Sequence, residues 1–218
     1  MWRDYFGPNA RIIGVDLNPN AKKWEAEGFE IYIGSQSDTE FWEGFIENVG
    51  LIDVVLDDGG HTYAQQIITT EALLKSMKDG GIIVIEDTHT SYMDRFGPKS
   101  KSFIEYTKKL IDRVNMRFSK FSSHKSERRI WSIEIVESMV AFKINNDASS
   151  LISKITENDG DDDQAQNFRY EDNKSLKKFD KISTTLAILK YVPLARKVKR
   201  LFRTYLENKK FSADEYFK

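Results

Sequence analysis

Four short apolar runs, each closed by polar residues, set the pattern of the first part of the chain: residues 10–17 (ARIIGVDL), 29–33 (FEIYI), 51–56 (LIDVVL) and 81–85 (GIIVI). Apolar runs of this length bounded by turn residues read as buried strands. Between them the apolar spacing becomes helical. Phe41, Trp42, Phe45 and Ile46 predict an amphipathic helix over 38–48, and Ala64, Ile67, Leu74 and Met77 predict another over 63–78, with Gly80-Gly81 as its stop. Strands alternating with helices imply right-handed parallel βαβ units, hence an α/β domain with a doubly wound, mostly parallel sheet and helices on both faces. A further helix over 101–114 precedes RIWSIEIVESMVAFKI at 129–144, which breaks near Glu137-Ser138 and predicts a closing antiparallel pair.

Beyond residue 145 the pattern changes. Residues 146–181 are polar, carry the acidic run 159–163 and lack the apolar content of a core, so they are expected to be a linker. In 182–218, Leu186, Leu189, Val192, Val198, Leu201, Phe202 and Leu206 interleave with arginines and lysines, which predicts a basic amphipathic C-terminal helix interrupted at Pro193. The expected organisation is an α/β domain over 1–145, a linker over 146–181 and this helix over 182–218.

Charge refines the picture only at the tail. The 33 basic and 34 acidic side chains nearly cancel, so a nucleic-acid partner is not expected. From Lys174 to Lys210, however, twelve basic residues face only Asp180 and Glu207, which suggests peripheral contact with anionic lipid or packing in a homo-oligomer. Cysteine is absent, so any metal must be held by oxygen or imidazole. No run approaches the roughly 18 apolar residues of a membrane span, and no basic-then-apolar leader is present. Cytoplasmic residence is expected, at most peripheral to the inner face of the membrane.

In open parallel α/β sheets ligands sit beyond the carboxyl ends of the strands. The residues at those ends are Asp16, then GSQSD at 34–38, DDGGH at 57–61 and EDTH at 86–89. Strands joined by one crossover are usually neighbours about 4.8 Å apart, so the third and fourth tips converge. Clustered carboxylates repel unless they share a hard cation such as magnesium, which makes Asp58, Glu86 and Asp87 candidate metal ligands, both members of each acidic pair turning inward. His61 follows Asp58 on a Gly-Gly turn and suits a general base acting on a hydroxyl. Asp16, at the end of the first run, reads as a ribose contact. Asp57 is grouped with the cofactor contacts, beside a plain reading as a helix cap. His89 and His124 read as structural, and Trp24, Trp42 and Trp131 as core or groove residues.

The two central motifs, LDDGGHTYAQQ and GGIIVIEDTHTSY, resemble those of the class I S-adenosylmethionine-dependent methyltransferases. The nearer likeness is to the metal-dependent O-methyltransferases of macrolide sugars and their cephalosporin-hydroxylase-like relatives. In that family DDGSH and IEDxxTSY supply magnesium ligands and a histidine base. The resemblance implies Asp58, Glu86 and Asp87 for the metal and His61 for the base, with Gly60 in place of the usual serine. It also implies Asp16 on the cofactor's ribose and Ser35 and Gln36 beside its adenine. The implied activity is magnesium- and S-adenosylmethionine-dependent O-methylation of a sugar or glycosylated small molecule. The resemblance covers about residues 1–144, and members of the family begin with a strand and a glycine-rich loop that have no counterpart here. Residues 1–6 match the end of the helix after that loop, so an N-terminal truncation is expected. The alternative is a catalytically degenerate module that binds a partner or a membrane surface.

Overall fold

The computed structural model describes residues 1–116, 129–151, 174–185 and 193–208. His124, Leu186, Leu189, Val192 and the acidic run 159–163 lie outside the described residues. The chain divides into two compact units, Met1–Ile155 and Thr156–Lys218.

The first unit contains, in order, α1 (Trp2–Phe6), β1 (Ile13–Asp16), β2 (Glu30–Ile33), α2 (Thr39–Val49), β3 (Ile52–Asp57), α3 (Tyr63–Leu74), β4 (Met77–Ile85), α4 (Phe103–Asn115), β5 (Ile130–Val136), β6 (Met139–Ile144) and α5 (Asn146–Ser150). The second contains α6 (Lys174–Thr185) and α7 (Pro193–Asn208). The α/β expectation holds, with parallel pairing of β1 with β2 and of β3 with β4. The antiparallel pair also forms, β6 lying between β4 and β5. Strand pairing does not run through the whole set: among the described residues β1–β2 is one sheet and β3–β4–β6–β5 another.

Helix starts follow local chemistry. Asp38 caps α2 by accepting from the Glu40 and Phe41 amides, and Ser102 caps α4 through the Glu105 amide. Thr62 and Gln65 form a reciprocal capping box on α3. The end of α3 differs from the expectation. It stops at Leu74, where the Arg129 guanidinium reaches the Leu74 carbonyl at 2.7 Å, and Met77 already belongs to β4. Gly80-Gly81 is therefore not a helix stop. It lies inside β4, opposite the register shift of β3, with Gly80 at φ +80° and Gly81 so close to the Asp53 carbonyl that a Cβ would lie 2.9 Å from it.

Alternation along the strands decides the core. Ile83, Ile85, Val140 and Phe142 face one side and are fully buried in one cluster with Trp42, Phe45, Leu73, Leu74, Phe103 and Leu110 of α2, α3 and α4. On the opposite side of β3, Val54 and Leu56 remain 47% and 42% exposed. Helices on both faces were expected; among the described residues the three long helices of this unit share one face. In the second unit, α6 begins at Lys174, inside the segment expected as linker, and Pro193 is the first residue of α7. Phe179 and Phe202 bring the two helices together, with ring centroids 5.3 Å apart. No described helix is long and apolar enough to cross a membrane.

Candidate metal centre at the carboxyl ends of β3 and β4

Parallel pairing of β3 with β4 brings DDGGH and EDTH to one end of the sheet, and the ladder reaches the acidic pairs themselves, since the Glu86 amide donates to the Asp57 carbonyl at 2.9 Å. Beyond that bond, one acid of each pair joins a cluster. Ligand atoms of Asp58, His61 and Asp87 all lie within 4.8 Å of one another. His61 Nε2 is 3.3 Å from Asp87 Oδ2.

The other two acids stand apart. Glu86 lies outside the cluster of three, and the Asp57 carboxylate, 7% exposed, is buried beneath α3. The expectation that both members of each pair turn inward therefore does not hold. Alternation alone does not make this cluster: the register that pairs Asp57 with Ile85 sets Asp58 level with Glu86, and Asp87 reaches Asp58 where its left-handed backbone breaks the pleat. Asp57 Oδ1 accepts from Gln36 Nε2 at 2.6 Å and from the Gly59 amide at 3.2 Å, while Oδ2 is buried without a partner. Burial pushes this carboxyl above its ordinary range, against the Gly59 amide, Gln36, His61 and Thr69, which all favour the charged form.

Backbone contacts fix the turns that carry the cluster. Gln66 of α3 donates to the Glu86 carbonyl at 2.9 Å, and the Tyr63 hydroxyl reaches the Thr90 and Met93 carbonyls, both at 3.0 Å. The buried Thr90 hydroxyl lies 2.9 Å from the Asp87 carbonyl and 3.1 Å from that of His61, so one group ties both halves of the cluster. Asp87 itself is left-handed, at φ 52°. Sequence reasoning missed Tyr63, Gln66 and Thr90. Thr90 belongs to the TSY of the second motif, which was signal enough; the other two are ordinary helix residues until packing aims them.

The remaining candidates line the same edge. The Asp16 carbonyl accepts from the Gly34 amide at 3.0 Å, and the exposed Asp16 carboxylate accepts from the Asn18 amide at 2.7 Å. Ser35 Oγ accepts from the Ser37 amide at 3.2 Å. The Gln36 carboxamide is committed to the turn after β3: besides Asp57 it reaches Thr69 Oγ1 at 3.2 Å and accepts from the Gly60 amide at 2.7 Å.

No protein-family model matches the chain. It is 37% identical over 97 residues to the 8-demethyl-8-(2-methoxy-alpha-L-rhamnosyl)-tetracenomycin-C 3'-O-methyltransferase of Streptomyces olivaceus, a match covering 44% of this chain and 24% of that protein. It is 32% identical over 122 residues to the L-olivosyl-oleandolide 3-O-methyltransferase of Streptomyces antibioticus, covering 53% of this chain and 31% of the relative. Among solved structures, the MycE methyltransferase of the mycinamycin biosynthetic pathway, in complex with Mg, SAH and mycinamycin VI, matches with a TM-score of 0.60 and 27% identity over 66% of this chain and 38% of that one. The chain thus spans less than two fifths of the length of these relatives. In motifs, sequence and fold the chain thus resembles the class I S-adenosylmethionine-dependent methyltransferases, and the relatives it matches are O-methyltransferases.

Proposed function

We propose that this chain is the metal-binding part of a magnesium- and S-adenosylmethionine-dependent O-methyltransferase acting on a sugar hydroxyl of a glycosylated small molecule. The observation that carries the reading is the cluster of Asp58, His61 and Asp87 at the carboxyl ends of adjacent parallel strands. The carboxylates suit the group: Asp58 and Asp87, with Glu86 as the next carboxylate along the chain, offer oxygen donors to a hard divalent cation, and His61 stands beside them as base rather than ligand. When bound, the cation acidifies and orients an acceptor hydroxyl while S-adenosylmethionine carries the methyl group.

The chain's own residues do the rest. His61 takes the proton of the acceptor hydroxyl, and Asp87, 3.3 Å from its Nε2, sets the direction of the ring. Asp16 serves the cofactor's ribose, with Ser35 and the backbone of Gln36 beside its adenine, and Asp57 supports that side from beneath through Gln36. Calorimetry with magnesium and S-adenosylmethionine, paired with methyl transfer to a panel of rhamnosylated acceptors, tests this. His61→Ala is expected to keep both binding events and lose transfer. A wild-type chain that binds neither ligand would support the non-catalytic module instead.

The tail has a separate role. Val198, Leu201, Phe202 and Tyr205 form an exposed apolar stripe on α7, beside exposed Lys197, Lys199 and Arg200. That pattern supports docking of a cytoplasmic protein on anionic lipid at the inner face of the membrane. Flotation with anionic liposomes is expected to lose the protein when residues 182–218 are removed; equal flotation would end the idea.

A further inference from the structure

Asp87 and Ser138 are the only non-glycine residues with positive φ among the described residues, at 52° and 62°. They are far apart in sequence and joined in space. Ser138 occupies the turn between β5 and β6, and its carbonyl accepts from the amide of Thr88, the residue after Asp87, at 3.0 Å. Its hydroxyl and His89 Nδ1 share a hydrogen bond of 2.5 Å. The same His89 nitrogen lies 3.7 Å from Asp87 Oδ1, while His61 Nε2 lies 3.3 Å from Asp87 Oδ2. The Asp87 carboxylate is therefore bracketed, one imidazole against each oxygen.

Left-handed backbone at a non-glycine residue persists only where the surroundings over-determine it. Here two such residues brace each other through the Thr88 and His89 contacts. His89 falls at a position that the second motif leaves open, so the brace is a property of this chain rather than of the motif.

We infer that Ser138 and His89 are positioning residues that hold the Asp87 carboxylate on the proposed divalent cation, making the β5–β6 turn part of the site. The inference rests on the proposed metal-dependent function. Without the Ser138 hydroxyl, His89 loses its anchor and the Asp87 carboxylate loses the wall on its Oδ1 side, so it can rotate away from Asp58.

The test uses the full chain and Mn²⁺ as probe. Ser138→Gly removes the hydroxyl and keeps the left-handed turn, because glycine adopts it freely, so folding is not at risk. His89→Gln removes the imidazole. Each is expected to weaken Mn²⁺ affinity about tenfold, the lower end of outer-shell effects on metal sites. The double variant is expected to lose little more than either single, because both act through one contact. In the metal-free chain the ring resonances of His61 give a second readout: they should move in Ser138→Gly, whereas a merely structural turn would leave them in place. Unmoved His61 signals overturn the inference whatever the metal does, and so does wild-type Mn²⁺ affinity in both variants. If the wild-type chain binds no Mn²⁺, the metal reading fails by itself, and the His61 signals alone decide whether Ser138 and His89 hold Asp87.

Discussion

The carboxyl ends of β3 and β4 differ from those of β1 and β2, although both pairs are parallel and both β1 and β3 end in aspartate. At β3 and β4 side chains from several elements engage the backbone near the acids: Gln66 holds Glu86, Thr90 touches the carbonyls of His61 and Asp87, and Gln36 closes the Gly59-Gly60 turn. At β1 the Asp16 carboxylate meets the amide of Asn18, two residues on, and otherwise faces solvent. The acids themselves do not explain the difference. The tips of β3 and β4 sit over a helix-covered core that aims side chains at them from distant elements, whereas the Asp16 carboxylate at the tip of β1 rests on a local turn. A site that orients an ion and a proton needs the first kind of support, and one that receives a flexible ligand tolerates the second.

Removing the core beneath β4 should hurt most. Phe142→Ala is expected to cost roughly 3–5 kcal/mol of stability and to loosen the Asp87 turn, whereas Val15→Ala in β1 should cost well under half of that. Chemical denaturation reads both, and equal losses would erase the contrast.

Asp57→Asn sharpens it in the opposite direction. Burial holds the Asp57 carboxyl above its usual 3.8, so the folded state keeps a proton that the unfolded state releases. Its contribution to stability is therefore fully present below that ordinary value and is lost as pH rises through the higher, folded one. Asparagine can still accept from Gln36 and supplies a donor on the side where Oδ2 has no partner. The variant is expected to unfold at a higher temperature than wild type at neutral pH, with the advantage shrinking at pH 4. A wild-type advantage at pH 7 would mean that the charged form is the one the fold prefers.

The smallest effect on stability belongs to Asp16→Ala, within about 0.5 kcal/mol, because its carboxylate supports only an exposed turn. Its signature should instead be weaker S-adenosylmethionine binding by calorimetry. Unchanged binding would remove Asp16 from the cofactor side.

Much of this arrangement was legible in DDGGH and IED, because a strand tip is a local property and strands joined by one crossover pair side by side. Asp58, His61 and Asp87 meet for that reason. The split within each acidic pair was not legible, since it depends on how far the pleat persists before the chain turns. Gly80-Gly81 reads in sequence as a helix stop, whereas α3 ends earlier, at Leu74, whose carbonyl accepts from Arg129, and the two glycines fall in β4. Ser138 reads in sequence only as the break between two strands; its nearness to Asp87 comes from β6 lying beside β4.

The glycine at position 59 has a consequence for laboratory evolution. A Cβ there would sit 2.3 Å from Gln36 Oε1, and that amide is already fastened to Asp57, Thr69 and the Gly60 amide, so it has nowhere to retreat. Codon randomisation at this position should favour glycine, since any side chain must first displace the Gln36 amide from its three hydrogen bonds. Around the exposed Asp16, by contrast, sequence is free to drift, so new ligand preferences would be selected at the tip of β1 while the tip of β3 stays locked.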